Sequence, residues 1–185
     1  MSTRISVVFM SFALLSFFLV SCTAGDAASS SVFERAFSAC VKVSSEQGEY
    51  SADVTLRGNT VESDEGGKDG HPKRDGRVEY TFPENVVGIS ASRECGEVCV
   101  NVCGVNVKPS DNVAARYTFL MDILDVSSEE VLSVTHGEYE GNPTVELLVE
   151  NSCGRYTVTL DKNKLIPLLL QSEEVKIEFV SFVYI

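Results

Sequence analysis

Short segments in which apolar and polar residues alternate recur along most of this chain. The most regular of them, EVCVNVCGVNVK (97–108), places three valines on one face and, after Gly104, two further valines in the opposite phase. Alternation with a period of two is typical of a half-buried β-strand, and a one-residue phase change at a glycine is typical of a β-bulge. This segment therefore predicts a strand that is bulged at Gly104.

Nine segments of the chain carry the strand pattern, and short runs rich in glycine, proline, asparagine or serine separate them. The stretch LIPLLLQSEE (165–174) is predicted to cross the fold outside the sheet, because Pro167 lacks the N–H that a central strand needs. The beginning of the first segment also fits a short helix with a serine cap. The predicted strands are residues 33–43, 49–58, 77–82, 89–93, 97–108, 131–139, 144–150, 155–161 and 175–182.

One internal segment, VAARYTFLMDILD (113–125), has helical periodicity and is apolar around most of its circumference. Such a helix must be covered on two sides or close over a cavity. Its stripe supplies candidate residues for a ligand groove, and the alternative is that the same side chains simply fill the core. The candidates are Tyr117, Leu120, Met121 and Leu124. One helix among about nine strands indicates an α+β domain that is mostly antiparallel β.

The first residues of the chain have the layout of an export signal. Arg4 precedes an apolar run, 5–20, that is shorter than the roughly 20 residues of a membrane-spanning helix. The run ends in Leu-Val-Ser-Cys, which resembles the lipobox of bacterial lipoproteins and predicts a diacylated Cys22. The alternative is ordinary cleavage after Ala24 or Ala27, which would release the protein.

The export signal and the lipobox together predict three parts of the chain and a cellular location. Residues 1–21 form the signal, residues 22–31 a small polar tether, and residues 32–185 a single β-rich domain. The domain is then held at the extracytoplasmic face of the cell membrane through its lipid. The net charge of the full chain, −12, argues against binding nucleic acid or anionic headgroups by charge alone.

Residues 59–77 form the stretch with the least to bury, and they are predicted to be a disordered loop. His71 lies in this loop and is interpreted as a solvated side chain. The other histidine, His136, falls on a predicted strand with no catalytic motif around it. We find no nucleophile, metal-protease or phosphate-loop motif, so the sequence predicts a non-catalytic protein without a cofactor.

Five cysteines remain besides Cys22, and an odd number leaves at least one thiol unpaired within the chain. Their spacing is poor for a zinc site, so no metal is predicted. Cys95 and Cys153 are a candidate disulfide that would link two loops. Cys95 with Cys99 in a turn is an alternative, as is a reduced state in which all five are small buried hydrophobes. The five are Cys40, Cys95, Cys99, Cys103 and Cys153.

The order of these segments resembles the LolA-type lipoprotein-carrier superfamily, and within it small lipid-anchored relatives of Gram-positive cells. The segments are the lipobox, the polar tether, the first hairpin, VEYTFPENVVGI, the helical interruption and the final GRYTVTLD…IPLLLQSEEVKIEFVSF. The resemblance implies a strongly curved open sheet, a half-barrel, with the helix on its concave face. It also implies binding of a hydrophobic ligand such as a lipid, or of an envelope protein. The alternative is a structural or interaction module of the envelope with a solid core and no ligand cavity.

Overall fold

The computed structural model describes residues 31–57 and 73–185. The predicted signal segment, Cys22 and His71 lie outside these residues. Ser31, predicted as the end of the tether, begins a 3₁₀ helix, Ser31–Glu34, whose Val32 and Phe33 are buried. Among the described residues, no helix has the length and apolar character needed to cross a membrane.

Eleven antiparallel strands form one sheet in the described part of the chain. Hairpins connect most neighbours, and the C-terminal strand β11 closes the middle of the sheet by pairing with β1. The order across the sheet is β6-β5-β4-β3-β2-β1-β11-β10-β9-β8-β7. The strands are β1 Phe37–Ser45, β2 Gly48–Leu56, β3 Gly76–Phe82, β4 Ile89–Glu94, β5 Glu97–Val102, β6 Val105–Val107, β7 Val131–Tyr139, β8 Asn142–Asn151, β9 Gly154–Asp161, β10 Pro167–Gln171 and β11 Val175–Tyr184.

The prediction of about nine strands was wrong at two places. Cys103 and Gly104 both have positive φ angles, of 50° and 89°, and Val102 pairs with Val105. This is a two-residue type I′ hairpin turn, not a bulge, so the valine phase changes because the chain reverses into β6. The second place is the stretch 165–174, which contributes β10.

Strand β10 lies inside the sheet between β9 and β11, although it begins with a proline. Pro167 occupies the first position of the strand, where it pairs with Leu160, and the register shifts between Pro167 and Leu169. A first position next to an irregularity is one of the few places where a sheet tolerates a residue without an N–H. The proline therefore excludes only its own position from the ladder, and the residues after it form the strand.

Within residues 31–57 and 73–185 there is one α-helix, α1 (Asp111–Leu124), and it packs against β2, β3, β4 and β5. At its C-terminal end, Arg93 of β4 bonds to Asp122, and the hydroxyl of Tyr156 on β9 lies 2.9 Å from the carbonyl oxygen of Ile123. β4 and β9 are six strands apart in the sheet, about 29 Å if the sheet were flat. Contacts from both strands to adjacent helical residues require a strongly curved, open sheet with the helix inside the curve.

The core lies between α1 and the inner face of the sheet. Phe33 and Phe37 meet edge to face at 6.0 Å between ring centroids, and Phe37 stacks on Phe182 at 4.8 Å. Leu120, Met121 and Leu124 of the helix are fully buried in the same cluster. The C-terminal half of α1 is therefore a core element, which leaves its N-terminal half to border a different surface.

Candidate binding groove

An open groove of about 880 Å³ lies between the N-terminal half of α1 and the inner face of the sheet. Residues of strands β1, β2, β3, β4 and β11 form the sheet side of this groove. The apolar and aromatic lining consists of Val43, Tyr50, Tyr80, Val86, Ile89, Val113, Ala115, Tyr117, Phe119 and Val175. Polar lining comes from Ser45, Glu46, Gln47, Arg116 and Glu174.

Three tyrosines form a continuous aromatic wall in the groove. Tyr50 and Tyr80 lie on adjacent strands with ring centroids 5.7 Å apart, and Tyr80 meets Tyr117 of the helix edge to face at 6.2 Å. The Tyr80 hydroxyl donates a hydrogen bond to the Tyr117 carbonyl at 3.4 Å. Aromatic contacts of this kind add stability beyond the area they bury, so the wall holds the helix and the sheet at a fixed separation.

Tyr50 and Tyr80 of this wall are uncharged at physiological pH. Burial raises the pKa of Tyr50 to about 12, because the phenolate would lose its hydration. The pKa of Tyr80 is also raised, chiefly by burial and further by the neighbouring Tyr50 and Tyr117. The groove therefore offers neutral rings and aliphatic side chains to an occupant, with formal charge confined to Glu46, Arg116 and Glu174.

The structure separates the four residues predicted to line a ligand groove. Tyr117 does line it, whereas Leu120, Met121 and Leu124 are fully buried in the core and are absent from the groove lining. The helix stripe alone could not show this division, because all four side chains share one face. Tyr50 and Tyr80 were not among the residues predicted to line a groove. They continue the inward-facing alternation of β2 and β3, and that alternation is the sequence signal that could have identified them.

A buried ion-pair cluster fixes the other end of α1. Arg93 donates to Asp122 at 2.6 Å, Arg74 binds Asp125, and Lys73 adds a contact to Asp122 at 3.0 Å. The side chains of Arg74 and Arg93 are only 3% and 4% exposed. Residues 73–77, at the end of the loop predicted to be disordered, are ordered in the structure, because Asp125 at the C-terminal end of α1 holds Arg74 in the interior.

All five described cysteines carry free thiols, so the predicted Cys95–Cys153 disulfide is not formed in this structure. Cys95 is exposed in the β4–β5 turn, where its backbone N–H donates to Asp75, while Cys153 lies half-buried in the β8–β9 turn. Burial, reinforced by the Asp122 carboxylate, raises the pKa of Cys153 to about 11. Cys153 is therefore a protonated thiol near neutral pH.

The described residues offer little for catalysis by histidine or metal. His136 lies on β7 opposite Val145, and both side chains belong to the inner face of the sheet. Within residues 31–57 and 73–185, no group of three or more histidine, cysteine, aspartate or glutamate side chains is placed to hold a metal ion. The expectation of a non-catalytic protein remains a prediction.

No protein-family model and no curated protein sequence matches the chain. Its fold is similar to that of an uncharacterized conserved protein from Thermus thermophilus, with a TM-score of 0.53 and 13% identity over 86% of this chain and 85% of that one. It is also similar to MucB, with a TM-score of 0.51 and 13% identity over 88% of this chain and 59% of MucB. At such identity, these matches show a shared fold and nothing about ligands.

The matched structures also include a LolA superfamily protein from Nitrosomonas europaea, with a TM-score of 0.41 and 8% identity over 89% of this chain and 94% of that one. The open antiparallel sheet that encloses a helix is the fold expected from the resemblance of the sequence to the LolA-type superfamily.

Proposed function

We propose that this chain is a non-catalytic protein of the extracytoplasmic membrane face, tethered through a lipid on Cys22, that binds a hydrophobic ligand in the groove beside α1. One observation carries the proposal, namely that an aromatic wall with aliphatic neighbours remains open to solvent where the helix leaves the sheet uncovered. Exposed apolar surface that is rimmed by polar residues commonly marks a binding site.

The size and the chemistry of the groove support an acyl chain as its occupant. Ligand pockets commonly measure about 300–1,000 Å³, and the groove falls within that range. Each methylene removed from water contributes about 0.8 kcal/mol, so several methylenes against the three tyrosines provide useful affinity without any specific polar contact. The neutral hydroxyls of Tyr50 and Tyr80 impose no charge penalty on that occupant.

Two alternatives compete with this proposal. A structural module with a solid core would have no use for an open aromatic groove, so the groove counts against that alternative. A partner protein is the other possible occupant, and MucB, whose fold is similar, has been crystallised in complex with MucA. The aromatic and aliphatic wall of the groove, with Tyr50, Tyr80 and Tyr117 at its centre, favours the hydrophobic ligand over a polar peptide.

Blocking the mouth of the groove tests the ligand. Val113 lines the groove and is 43% exposed, so Val113→Trp should fill the entrance without disturbing the core. Pyrene-labelled palmitate, titrated by fluorescence, should bind the unmodified chain and bind the variant at least tenfold more weakly. Val183→Trp, at a 60% exposed position on β11 away from the groove lining, is the matched control. Equal binding of the fatty acid by both variants would show that the groove is not the binding site.

The tether needs its own measurement, because Cys22 lies outside the described residues. Mass spectrometry of the chain purified from bacterial membranes should find a mature N-terminus at Cys22 that carries a diacylglyceryl group. Cys22→Ala should move the protein from the membrane fraction to the soluble fraction. An unmodified N-terminus that follows Ala24 or Ala27 would show that the protein is released instead.

A further inference from the structure

The two edges of the sheet are built differently. The edge strand β6 has only three residues and is followed at once by Lys108 and Pro109, which discourage pairing with another strand. The opposite edge, β7, has nine residues, contains neither lysine nor proline, and pairs only with β8 in the part of the chain that the structure describes. Natural proteins usually shield a long unpaired strand edge of this kind, unless the edge binds another strand.

The register identifies the backbone groups that point away from the sheet. Glu140 and Gly141 have φ angles of 52° and 79°, and Tyr139 pairs with Asn142, so a type I′ turn makes Tyr139 and Asn142 a hydrogen-bonded pair. Hydrogen-bonded and non-bonded pairs then alternate along the hairpin. The next pair, Glu138 with Pro143, is a non-bonded one, which fits a proline because it has no N–H to donate. The outward-facing residues of β7 are therefore Val134, His136 and Glu138.

These three residues present a ladder of three N–H donors and three C=O acceptors. Their spacing of two residues is that of a β-strand, so one antiparallel or parallel segment can engage all of them. A proline at one of these positions removes an outward donor without removing any bond between β7 and β8. This property makes the ladder testable separately from the stability of the hairpin.

The surroundings of β7 indicate the character of the added strand. On the inner face, an incoming residue would neighbour Val134 and His136, whose cross-strand partners Leu147 and Val145 are buried. On the outer face, the carboxylate of Glu146 lies against β7, since a Cβ at Gly137 would come within 3.1 Å of its Oε1 atom. A concavity on the outer face extends from Tyr139 of β7 across β8, β9 and β10. Its charged lining consists of Glu146, Glu150, Glu173, Glu174 and Arg155, and it stays net acidic although Arg155 pairs with Glu150 at 2.6 Å.

We propose that β7 is a strand-addition site for an extended segment of a partner protein in which apolar residues alternate with lysine or arginine. The apolar residues lie beside Val134 on the inner face. The basic residues lie on the outer face, toward Glu146 and the acidic concavity. The inference is independent of the groove beside α1 and of any ligand in it.

A synthetic peptide, Thr-Val-Lys-Val-Lys-Val-Thr, labelled with fluorescein, tests the proposal by fluorescence anisotropy against the full chain. The chain should bind this peptide, and His136→Pro should weaken binding at least tenfold. A peptide with glutamate in place of both lysines should bind at least tenfold more weakly, and Glu146→Gln should narrow that difference. Failure of the unmodified chain to bind, or equal binding by His136→Pro, would overturn the proposal.

Asn106→Pro is the matched control, because Asn106 occupies the corresponding outward position on β6, next to the Val102–Val105 pair. It should leave the affinity for the peptide within twofold, whereas a loss equal to that of His136→Pro would overturn the proposal.

Circular dichroism checks the fold of each variant, and Glu138→Pro provides the same test if His136→Pro does not fold. If the chain alone forms a dimer in sedimentation and His136→Pro abolishes it, the occupant is a second copy and the proposed partner is rejected.

Discussion

The hydroxyl of Tyr156 donates a hydrogen bond to the carbonyl oxygen of Ile123 at 2.9 Å. This bond links β9, in the second half of the sheet, to the last turn of a helix that packs on the first half. It satisfies a carbonyl near the helix C-terminus, where no intrahelical donor remains. The same hydroxyl accepts from Asn151 at 2.8 Å, so one side chain joins the helix, β9 and the β8–β9 turn.

Tyr156→Phe should lower the free energy of unfolding by about 1–3 kcal/mol, because it leaves the Ile123 carbonyl and the Asn151 amide without this partner while the ring remains in place. Urea denaturation followed by circular dichroism measures the change. Tyr139→Phe, on the edge strand β7, should change the free energy by about 0.5 kcal/mol or less. Equal effects of the two substitutions would show that the hydrogen bond does not link the two halves.

Asp122→Ala should be among the most destabilising single changes in the chain. It removes the carboxylate that pairs with Arg93 and Lys73 and accepts from Thr118. The only carboxylate contact then left to the buried Arg93 guanidinium is the longer one to Asp125, beside its hydrogen bond to the Arg74 carbonyl. Breaking a buried pair on one side typically costs about 3–5 kcal/mol. Glu97→Ala, which breaks the exposed pair with Lys108, should cost about 0.5 kcal/mol or less in the same denaturation experiment.

The two halves of α1 should respond differently to truncation. Leu120→Ala opens a cavity in the core and should lower the free energy of unfolding by about 2–5 kcal/mol. Val113→Ala, at the groove entrance, should lower it by about 0.5 kcal/mol or less. Thermal and urea unfolding measure both. A small effect of Leu120→Ala would contradict the assignment of the C-terminal half of the helix to the core.

Cys153 should remain a thiol to an unusually high pH. In a variant that retains only this cysteine, the rate of alkylation by iodoacetamide in the folded chain should keep rising until about pH 11. In denaturant, the same thiol should reach its plateau above about pH 9, its ordinary value. A plateau near pH 9 in the folded chain would show that burial and Asp122 do not act on this group.

The raised pKa of Cys153 also sets the direction of a stability change. As the pH rises from about 9 to about 11, the unfolded chain loses the thiol proton while the folded chain keeps it, so the free energy of unfolding falls across that window. Cys153→Ala should make this fall less steep. The difference between the two chains is the measurement, because the raised pKa of Tyr50 adds its own loss from about pH 10 to about pH 12, which overlaps this window.

Local patterns were sufficient to predict most elements of this fold. Alternation predicted nine of the strands, and helical periodicity predicted 113–125, against the observed α1 from Asp111 to Leu124. Two strands, β6 and β10, were not predicted, and each omission has a physical reason. A type I′ turn at Cys103-Gly104 and a bulge at Gly104 give the same valine pattern, and a proline excludes only its own position from the ladder.

The candidate groove was predicted less well, because its position depends on which part of the helix the sheet covers. Tyr117 and Leu120 belong to one apolar stripe, yet the first faces the groove and the second the core. That division is set by Arg93, Arg74 and Tyr156, which hold the C-terminal end of α1 inside the curve of the sheet. These contacts join residues 29 to 51 positions apart in the chain.

The sequence by itself determined the alternation that makes a sheet, the helical periodicity of residues 113–125 and the acidic charge, and it predicts a lipid on Cys22. These depend on neighbours within a few residues, where sterics and hydrophobic periodicity act directly. Only the tertiary structure decided that the sheet curls around one half of the helix and leaves Tyr50, Tyr80 and Tyr117 open beside the other half. It also decided that β7 remains a free edge. Both features follow from long-range packing and strand register, which no local pattern encodes.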